Sequence, residues 1–283
     1  MQPLSVMEIG VMFWGAGDPA ATLRELKGLG VRCGQIGIPG EMNLQGASAE
    51  WKAALTAAKF TVVTAFCSYN GESYADIPTV QKTVGFIPRA TRDEREARTL
   101  EVSDFAAQLG VPSIATHIGF VPEDTSDEDY INVRGLVRRI CDHAAKHQQT
   151  FALETGQEAA GTLLDFFIDV NRPNLAINFD PANMILYGTG DPIEALGILA
   201  AHVVSVHCKD GDWPPKGSPD ALGTEKPLGQ GAVGMERFLA KLKAIGFKGP
   251  LNIEREASDP AERLRDIQMG IKLLEKLRAS MVG

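Results

Sequence analysis

Short apolar runs alternate with longer amphipathic segments along the whole chain. The runs fall at about 6–14, 31–38, 61–68, 113–119, 150–155, 175–180, 203–209 and 250–255, and most are rich in Val, Ile and Phe. Runs of that length with little polar alternation fit strands buried on both faces. Helix-like periodicity occupies the intervals near 19–29, 48–59, 91–109, 127–147, 161–171, 191–200, 233–245 and 260–279. It is clearest late in the chain, where Met235, Phe238, Leu239, Leu242 and Ile245 share one stripe and Leu264, Ile267, Ile271, Leu274 and Leu277 another. Asp18-Pro19, Asp191-Pro192 and Asp259-Pro260 each set an N-capping carboxylate before a proline suited to the first helical turn. Gly30, Gly110 and Gly246 stand where helices should end.

Eight strand–helix units follow one another over 283 residues without a linker or a shift in composition. That order predicts an α/β fold, a single (β/α)8 TIM barrel forming one domain over residues 1–283. An open doubly wound sheet is the alternative. However, no Gly-x-Gly-x-x-Gly turn follows the first run, and no Gly-x-x-x-x-Gly-Lys loop occurs. Two connections are long, at roughly 69–90 and 210–231. Both follow strands, so a barrel places both on its catalytic face as lids or substrate walls. Trp213 and the paired prolines beside it stiffen the second.

Hydrophobic residues make up 44% of the chain, enough for a large core, and the formal charge is −8. An acidic balance offers no electrostatic footprint for nucleic acid. Arg and Lys around 89–98 and 134–146 read as solvated helix faces. The four cysteines, Cys33, Cys67, Cys141 and Cys208, are far apart in sequence, which argues against a disulfide framework or a structural zinc site. No uncharged apolar stretch reaches the ~20 residues of a membrane span. The N-terminus shows no basic region followed by an apolar one. A cytoplasmic protein without membrane contact is expected.

The candidate chemistry lies in the second half. Phe151-Ala-Leu-Glu154, Ile177-Asn-Phe-Asp180, Val204-Ser-Val-His207 and Leu251-Asn-Ile-Glu254 each end an apolar run on a residue able to bind a metal. A charged residue at one strand end is usually just exposed, but four consecutive strands ending this way point to a site. The C-terminal ends of barrel strands converge on one mouth. Glu154, Asp180, His207 and Glu254 together would bind one divalent cation with open coordination positions. Three oxygens and one nitrogen suit manganese first, with magnesium, cobalt or zinc as alternatives. Such a cation polarises a carbonyl and acidifies the neighbouring C–H, and Glu154 and Glu254 are the acid–base pair that would move the proton. A small sugar or keto-polyol is the substrate class this chemistry needs.

Further substrate contacts are expected around the quartet. His117 ends the fourth run facing the same mouth. Lys209 lies two residues after His207, so strand alternation sets it on the same side, whereas Cys208 points away. Asn183 follows Asp180 closely, and Gln157 follows Glu154 on its loop. Trp14 at the end of the first run and Trp213 in the second long loop are candidates for apolar walls.

These segments resemble the xylose isomerase-like superfamily of TIM barrels, which includes ketose 3-epimerases, hydroxypyruvate isomerases, inosose dehydratases and endonuclease IV. The matching text is Ala152-Leu-Glu-Thr-Gly, Asn178-Phe-Asp-Pro-Ala-Asn, Val206-His-Cys-Lys-Asp, Pro227-Leu-Gly-Gln-Gly and Gly249-Pro-Leu-Asn-Ile-Glu-Arg-Glu. The resemblance implies that Glu154, Asp180, His207 and Glu254 are the metal quartet and that Glu154 and Glu254 are the acid–base pair. It also implies a tendency to form homo-oligomers. Two departures bear on the subfamily. Asn183 stands where the ketose 3-epimerases carry a substrate-binding His, and Asp212-Trp-Pro stands where they carry an Arg. The His-x-Lys-Asp form resembles the dehydratase side.

The expected function is therefore a metal-dependent sugar isomerase or epimerase working through an enediolate. The runner-up is a keto-sugar or inosose dehydratase or lyase acting by β-elimination. A non-catalytic sugar-binding barrel and an endonuclease IV-like nuclease rank below these. The nuclease gathers three zinc ions with extra histidines. This chain has five, and His143, His147 and His202 fall away from the mouth.

Overall fold

The computed structural model describes residues 3–281. The first seven strands in chain order are β1 (Ile9–Trp14), β2 (Cys33–Ile38), β3 (Thr61–Cys67), β4 (Ser113–Thr116), β5 (Thr150–Glu154), β6 (Leu175–Phe179) and β7 (Val203–Cys208). Next, β8 (Asp210–Asp212) and β9 (Thr224–Lys226) pair only with each other, as an antiparallel hairpin. The eighth barrel strand is β10 (Leu251–Ile253), which pairs in parallel with both β7 and β1 and closes the ring. The eight expected strands and the expected (β/α)8 TIM barrel are all present.

All eight expected helices form, and their ends shift by only a residue or two. They are α1 (Pro19–Gly28), α2 (Ala47–Ala58), α4 (Arg92–Leu109), α5 (Glu128–Ala145), α6 (Ala160–Val170), α8 (Pro192–Leu199), α9 (Met235–Ala244) and α10 (Pro260–Met281). Asp18 and Asp191 cap α1 and α8 by accepting backbone N–H groups of the first turn. Two short helices complete the set, α3 (Ile77–Thr83) and α7 (Pro181–Tyr187). Both begin on a capping aspartate, Asp76 and Asp180. Asp180-Pro181 is the same Asp-Pro signal that marks three other helix starts. Its overlap with the end of an apolar run hides it in the sequence.

Alternation along the strands sorts side chains into two layers. Phe151, Leu153, Ile177, Phe179, Val206, Cys208, Leu251 and Ile253 point outward into the main core. There Phe179 stacks on Phe238 of α9 at 6.1 Å, and burying each such ring contributes roughly 1.5–3 kcal/mol. The inward positions are small or polar. Ala115, Ala152 and Ala176 cluster with Phe66, while Gln35, Asn178, Ser205 and Asn252 are buried and hydrogen-bonded in the lumen. The same alternation continues one step past each of the later strands and sets Asp180 and Glu254 facing inward.

The two long connections close over the mouth of the barrel. The first holds α3, the second holds the β8–β9 hairpin, and Ile77 N–H donates to the carbonyl of Asp220 at 3.0 Å to link them. Within the first, both carboxylate oxygens of Glu72 accept backbone N–H groups, from Gly85 and from Tyr69. These connections are ordered walls.

Candidate metal and active site

Glu154, Asp180, His207 and Glu254 converge at the C-terminal mouth of the barrel, with one ligating atom from each lying within 4.8 Å of the others. Strand register produces this arrangement. Glu154 pairs with Asn178, and Asn252 pairs with His207, so the next inward residues, Asp180 and Glu254, come level around the ring. His207 Nδ1 lies 2.6 Å from Glu154 Oε1, 2.9 Å from Glu254 Oε2 and 3.7 Å from Asp180 Oδ2.

Two buried amides hold the far side of the imidazole, with Gln35 Oε1 at 3.0 Å and Asn178 Nδ2 at 3.3 Å from Nε2, and the shorter contact favours a proton on Nε2. Asn178 Oδ1 accepts from Ser205 Oγ and from Gln35 Nε2, which sets the Gln35 amide with its oxygen toward His207. Gln35 Oε1 then accepts the Nε2–H at 3.0 Å. The Nδ1 lone pair is left facing three carboxylates, all acceptors, so a cation must stand between them. Without a metal that cation is a proton. Burial opposes it, but the charges of Glu254 and Glu154 push the His207 imidazole well above its ordinary range.

The carboxylates show the same demand. Asp180 Oδ1 accepts from the N–H groups of Ala182 and Asn183 at the start of α7, while Oδ2 is buried with no hydrogen-bond donor. Glu254 Oε2 is also buried without an aligned donor, although Nδ1 of His207 is close. Burial raises the Glu154 carboxyl above its usual range, with the neighbouring carboxylates adding to the effect. Burial would raise Glu254 too, but His207 and then Lys209 hold it well below. Two orphaned oxygens, a third carboxylate and an imidazole nitrogen oriented by Gln35 suit a divalent cation with mixed oxygen and nitrogen donors.

A cavity of about 710 Å³ opens above the quartet. Trp14, His117, Asn183 and Lys209 line it together with Glu154 and Glu254. Lys209 Nζ lies 3.5 Å from Glu254 Oε2 and 3.2 Å from Glu256 Oε2. Those carboxylates outweigh burial and keep the ammonium charged. His117 is kept neutral, its pKa pushed down to about 3 by burial and by the charge of Lys209. Its Nδ1 accepts from Gln157 Nε2 at 3.3 Å, so its Nε2–H is free to face Glu154 Oε2 at the same distance. Gln157 thus lies behind His117, also touching the Tyr187 hydroxyl, rather than on the cavity wall. Trp213 is half-exposed and is also off that wall. His143 and His147 meet Asp104 on the outer surface, away from the mouth.

The model of the xylose isomerase-like TIM barrel family matches residues 23–277. The chain belongs to that family. Among solved structures, a xylose isomerase domain protein from Planctomyces limnophilus is 43% identical with a TM-score of 0.92, over 98% of this chain and 99% of that one. A D-allulose 3-epimerase from Methylomonas sp. is 18% identical with a TM-score of 0.68, over 98% of this chain and 100% of that one. The probable 3-DHS dehydratase AsbF from Bacillus anthracis is 16% identical with a TM-score of 0.66, over 94% of this chain and 99% of that one. At such identities the last two likenesses speak for the fold alone. No curated protein sequence matches the chain.

In this xylose isomerase-like barrel Phe66, Tyr74, Tyr187, Glu225 and Glu256 also stand on the cavity wall, none of them expected from the sequence. Glu256 had a signal, since alternation beyond Glu254 returns to the same side two residues on. Phe66 lies within β3, Tyr74 on a loop, Tyr187 at the end of the short helix α7 and Glu225 in the short hairpin strand β9, where no periodicity marks them. Gln35 was also missed, because a lone Gln in an apolar strand has no partner in the local sequence. Asp210, next to Lys209, turns away from the cavity. Its carboxylate accepts the N–H groups of Gly211, Gly229 and Val233. A Cβ on Gly231 would lie 2.4 Å from Asp210 Oδ1. The segment Gly229-Gln-Gly-Ala-Val-Gly234 has phosphate-loop spacing, but Asp210 already occupies the amides of Gly229 and Val233.

Proposed function

We propose that the protein is a divalent-metal-dependent sugar isomerase or epimerase acting on a ketose or related polyol. The observation that carries this reading is His207 Nδ1 lying within 3.7 Å of an oxygen of each of three carboxylates, at the floor of a cavity large enough for a sugar. Glu154, Asp180, His207 and Glu254 would hold the ion, with manganese favoured by the donor set and magnesium, cobalt or zinc as competitors. When bound, the cation polarises the substrate carbonyl and offsets the negative charge that develops on it.

The chain's own groups move the proton. Glu154 and Glu254 reach the cavity from strands on either side of the quartet, so one takes the C–H proton and the other delivers a proton to the enediolate. Return to the opposite face of the same carbon inverts it; return to the adjacent carbon gives an aldose–ketose isomerisation. The charged Lys209 ammonium stabilises the enolate oxygen, and the neutral His117 donates from Nε2 to a substrate hydroxyl. Trp14 and Asn183 shape the wall around them.

A dehydratase or lyase working through the same enolate is the second reading. It is favoured by Lys209, a protonated side chain beside Glu254 that can deliver a proton to a leaving hydroxyl. Manganese-loaded protein incubated with ketoses and keto-inositols in deuterated water separates the two. Deuterium at carbon with the hydroxyl count intact supports the isomerase or epimerase, and loss of water supports the lyase. Neither outcome on any such substrate would refute both.

A further inference from the structure

We infer that the substrate is an uncharged glycosylated keto-sugar, and that Trp14 and Tyr74 form a subsite for its second ring or aglycone above the quartet. This deepens the isomerase or epimerase reading and rests on it for the placement of the keto-sugar.

Three observations lead there. The first is size. A volume of about 710 Å³ lies in the upper half of the ~300–1,000 Å³ typical of sites for drug-sized ligands. A single hexose held at the metal ligands would leave much of it unfilled.

The second is the wall. Phe66 stands beside His207 at the floor, His117 lies 5.6 Å from Phe66, and Tyr74 lies 5.6 Å from His117. This aromatic run climbs from the quartet to the rim, where Tyr74 is 44% exposed. Trp14, at the end of β1, adds a separate aromatic surface to the same cavity. A Cβ on Gly37 would lie 2.6 Å from the Trp14 ring, so the indole lies against bare backbone of β2 and is 45% exposed. Exposed aromatic faces of this kind pack against the C–H face of a pyranose or an apolar aglycone. Leu186 and Leu222 complete an apolar upper chamber.

The third is charge. Glu72, Asp76, Glu225 and Glu256 line the cavity besides the quartet's own acids, and Lys209 is its one Lys or Arg among the described residues. That ammonium is engaged by Glu254 and Glu256. The neighbouring glycine-rich loop spends two of its amides on Asp210. A phosphate or carboxylate on the substrate would therefore enter a field dominated by carboxylates, with Lys209 already engaged and the metal taken by the keto end of the sugar.

The test is calorimetric binding to the manganese-loaded protein of lactulose, isomaltulose, D-fructose and D-fructose 6-phosphate. The expected result is about tenfold tighter binding of at least one glycosylated ketose than of fructose, with the phosphate weakest. Trp14→Ala should collapse that ratio toward one, and Trp14→Phe should restore most of it, with unchanged metal content and melting temperature. Equal binding of fructose and both disaccharides, tightest binding of the phosphate, or a ratio unaltered in Trp14→Ala would overturn the inference. Deuterium exchange into bound ketose is read separately. Preference without exchange removes the catalytic reading and leaves the subsite, whereas exchange without preference does the opposite.

Discussion

Gln35 should control metal affinity without touching the metal. Its oxygen accepts the Nε2–H of His207 and its nitrogen donates to Asn178, both at 3.0 Å and fully buried. Gln35→Met keeps the length and apolar bulk of the side chain but removes both polar contacts. His207 then loses the bond that keeps its Nδ1 lone pair directed at the carboxylates, and its Nε2–H has no acceptor. Outer-shell partners of this kind are worth about 10–100-fold in metal affinity, or roughly 1.4–2.7 kcal/mol. The unpartnered N–H adds about 1–3 kcal/mol of lost stability, a fall of several degrees in melting temperature for a chain of this size. Gln35→Glu is the control, since a carboxylate still accepts the Nε2–H. Manganese titration by calorimetry or by the spin resonance of the free ion reads the affinity. The expected order is wild type, then Gln35→Glu, then Gln35→Met. Wild-type affinity in a stably folded Gln35→Met would refute the tautomer argument. Equal losses in both variants would transfer the effect to Asn178.

Other expectations follow from the same geometry. Glu254→Gln and Glu154→Gln should each lower turnover at least about 100-fold and weaken manganese binding; near-normal kcat in either would remove that residue from the acid–base pair. Metal binding displaces the proton that the carboxylates hold on His207, so affinity should rise with pH by up to about tenfold per unit while one proton is released per ion. Calorimetry in buffers of different ionisation enthalpy counts that proton, and pH-independent affinity would contradict the assignment. Glu158 sits outside the cavity, accepting the N–H of Val121 with its carboxyl pushed up to about 7 by burial. The unfolded chain ionises this group near its ordinary value while the folded chain keeps it protonated, so stability drains away as pH rises from about 4.5 to 7 and then levels off. Glu158→Gln keeps the acceptor without the charge, so it should be more stable than wild type at pH 8, by up to about 3 kcal/mol, and little different at pH 4.5. Equal melting curves for the two proteins at both pH values would show that the burial term is absent.

Much of this protein was legible in its sequence, for a physical reason. Strands buried on both faces must be apolar and must change character where they reach the mouth, so each polar residue that ends such a run announces itself. Glu154, Asp180, His207 and Glu254 were visible in this way, and Lys209 and Cys208 were sorted to opposite sides by a period of two. Asp18, Asp191 and the closing glycines marked helix ends because caps depend on neighbours in the chain. The short helix α7 escaped because Asp180 ends the apolar run of β6 and caps the helix at once. Gln157 and Trp213 show the opposite limit: both lie near the mouth in sequence, yet one is turned behind His117 and the other stands off the cavity wall. Local pattern determined the barrel and the quartet, since pleat and capping act over a few residues. Only the closed ring decided what lies behind and above them. Gln35 meets His207 from the far side of the lumen, 172 residues away. Tyr74 and Trp14 reach the same cavity from separate loops and strands. Such contacts depend on how the barrel closes, which no short window of sequence contains.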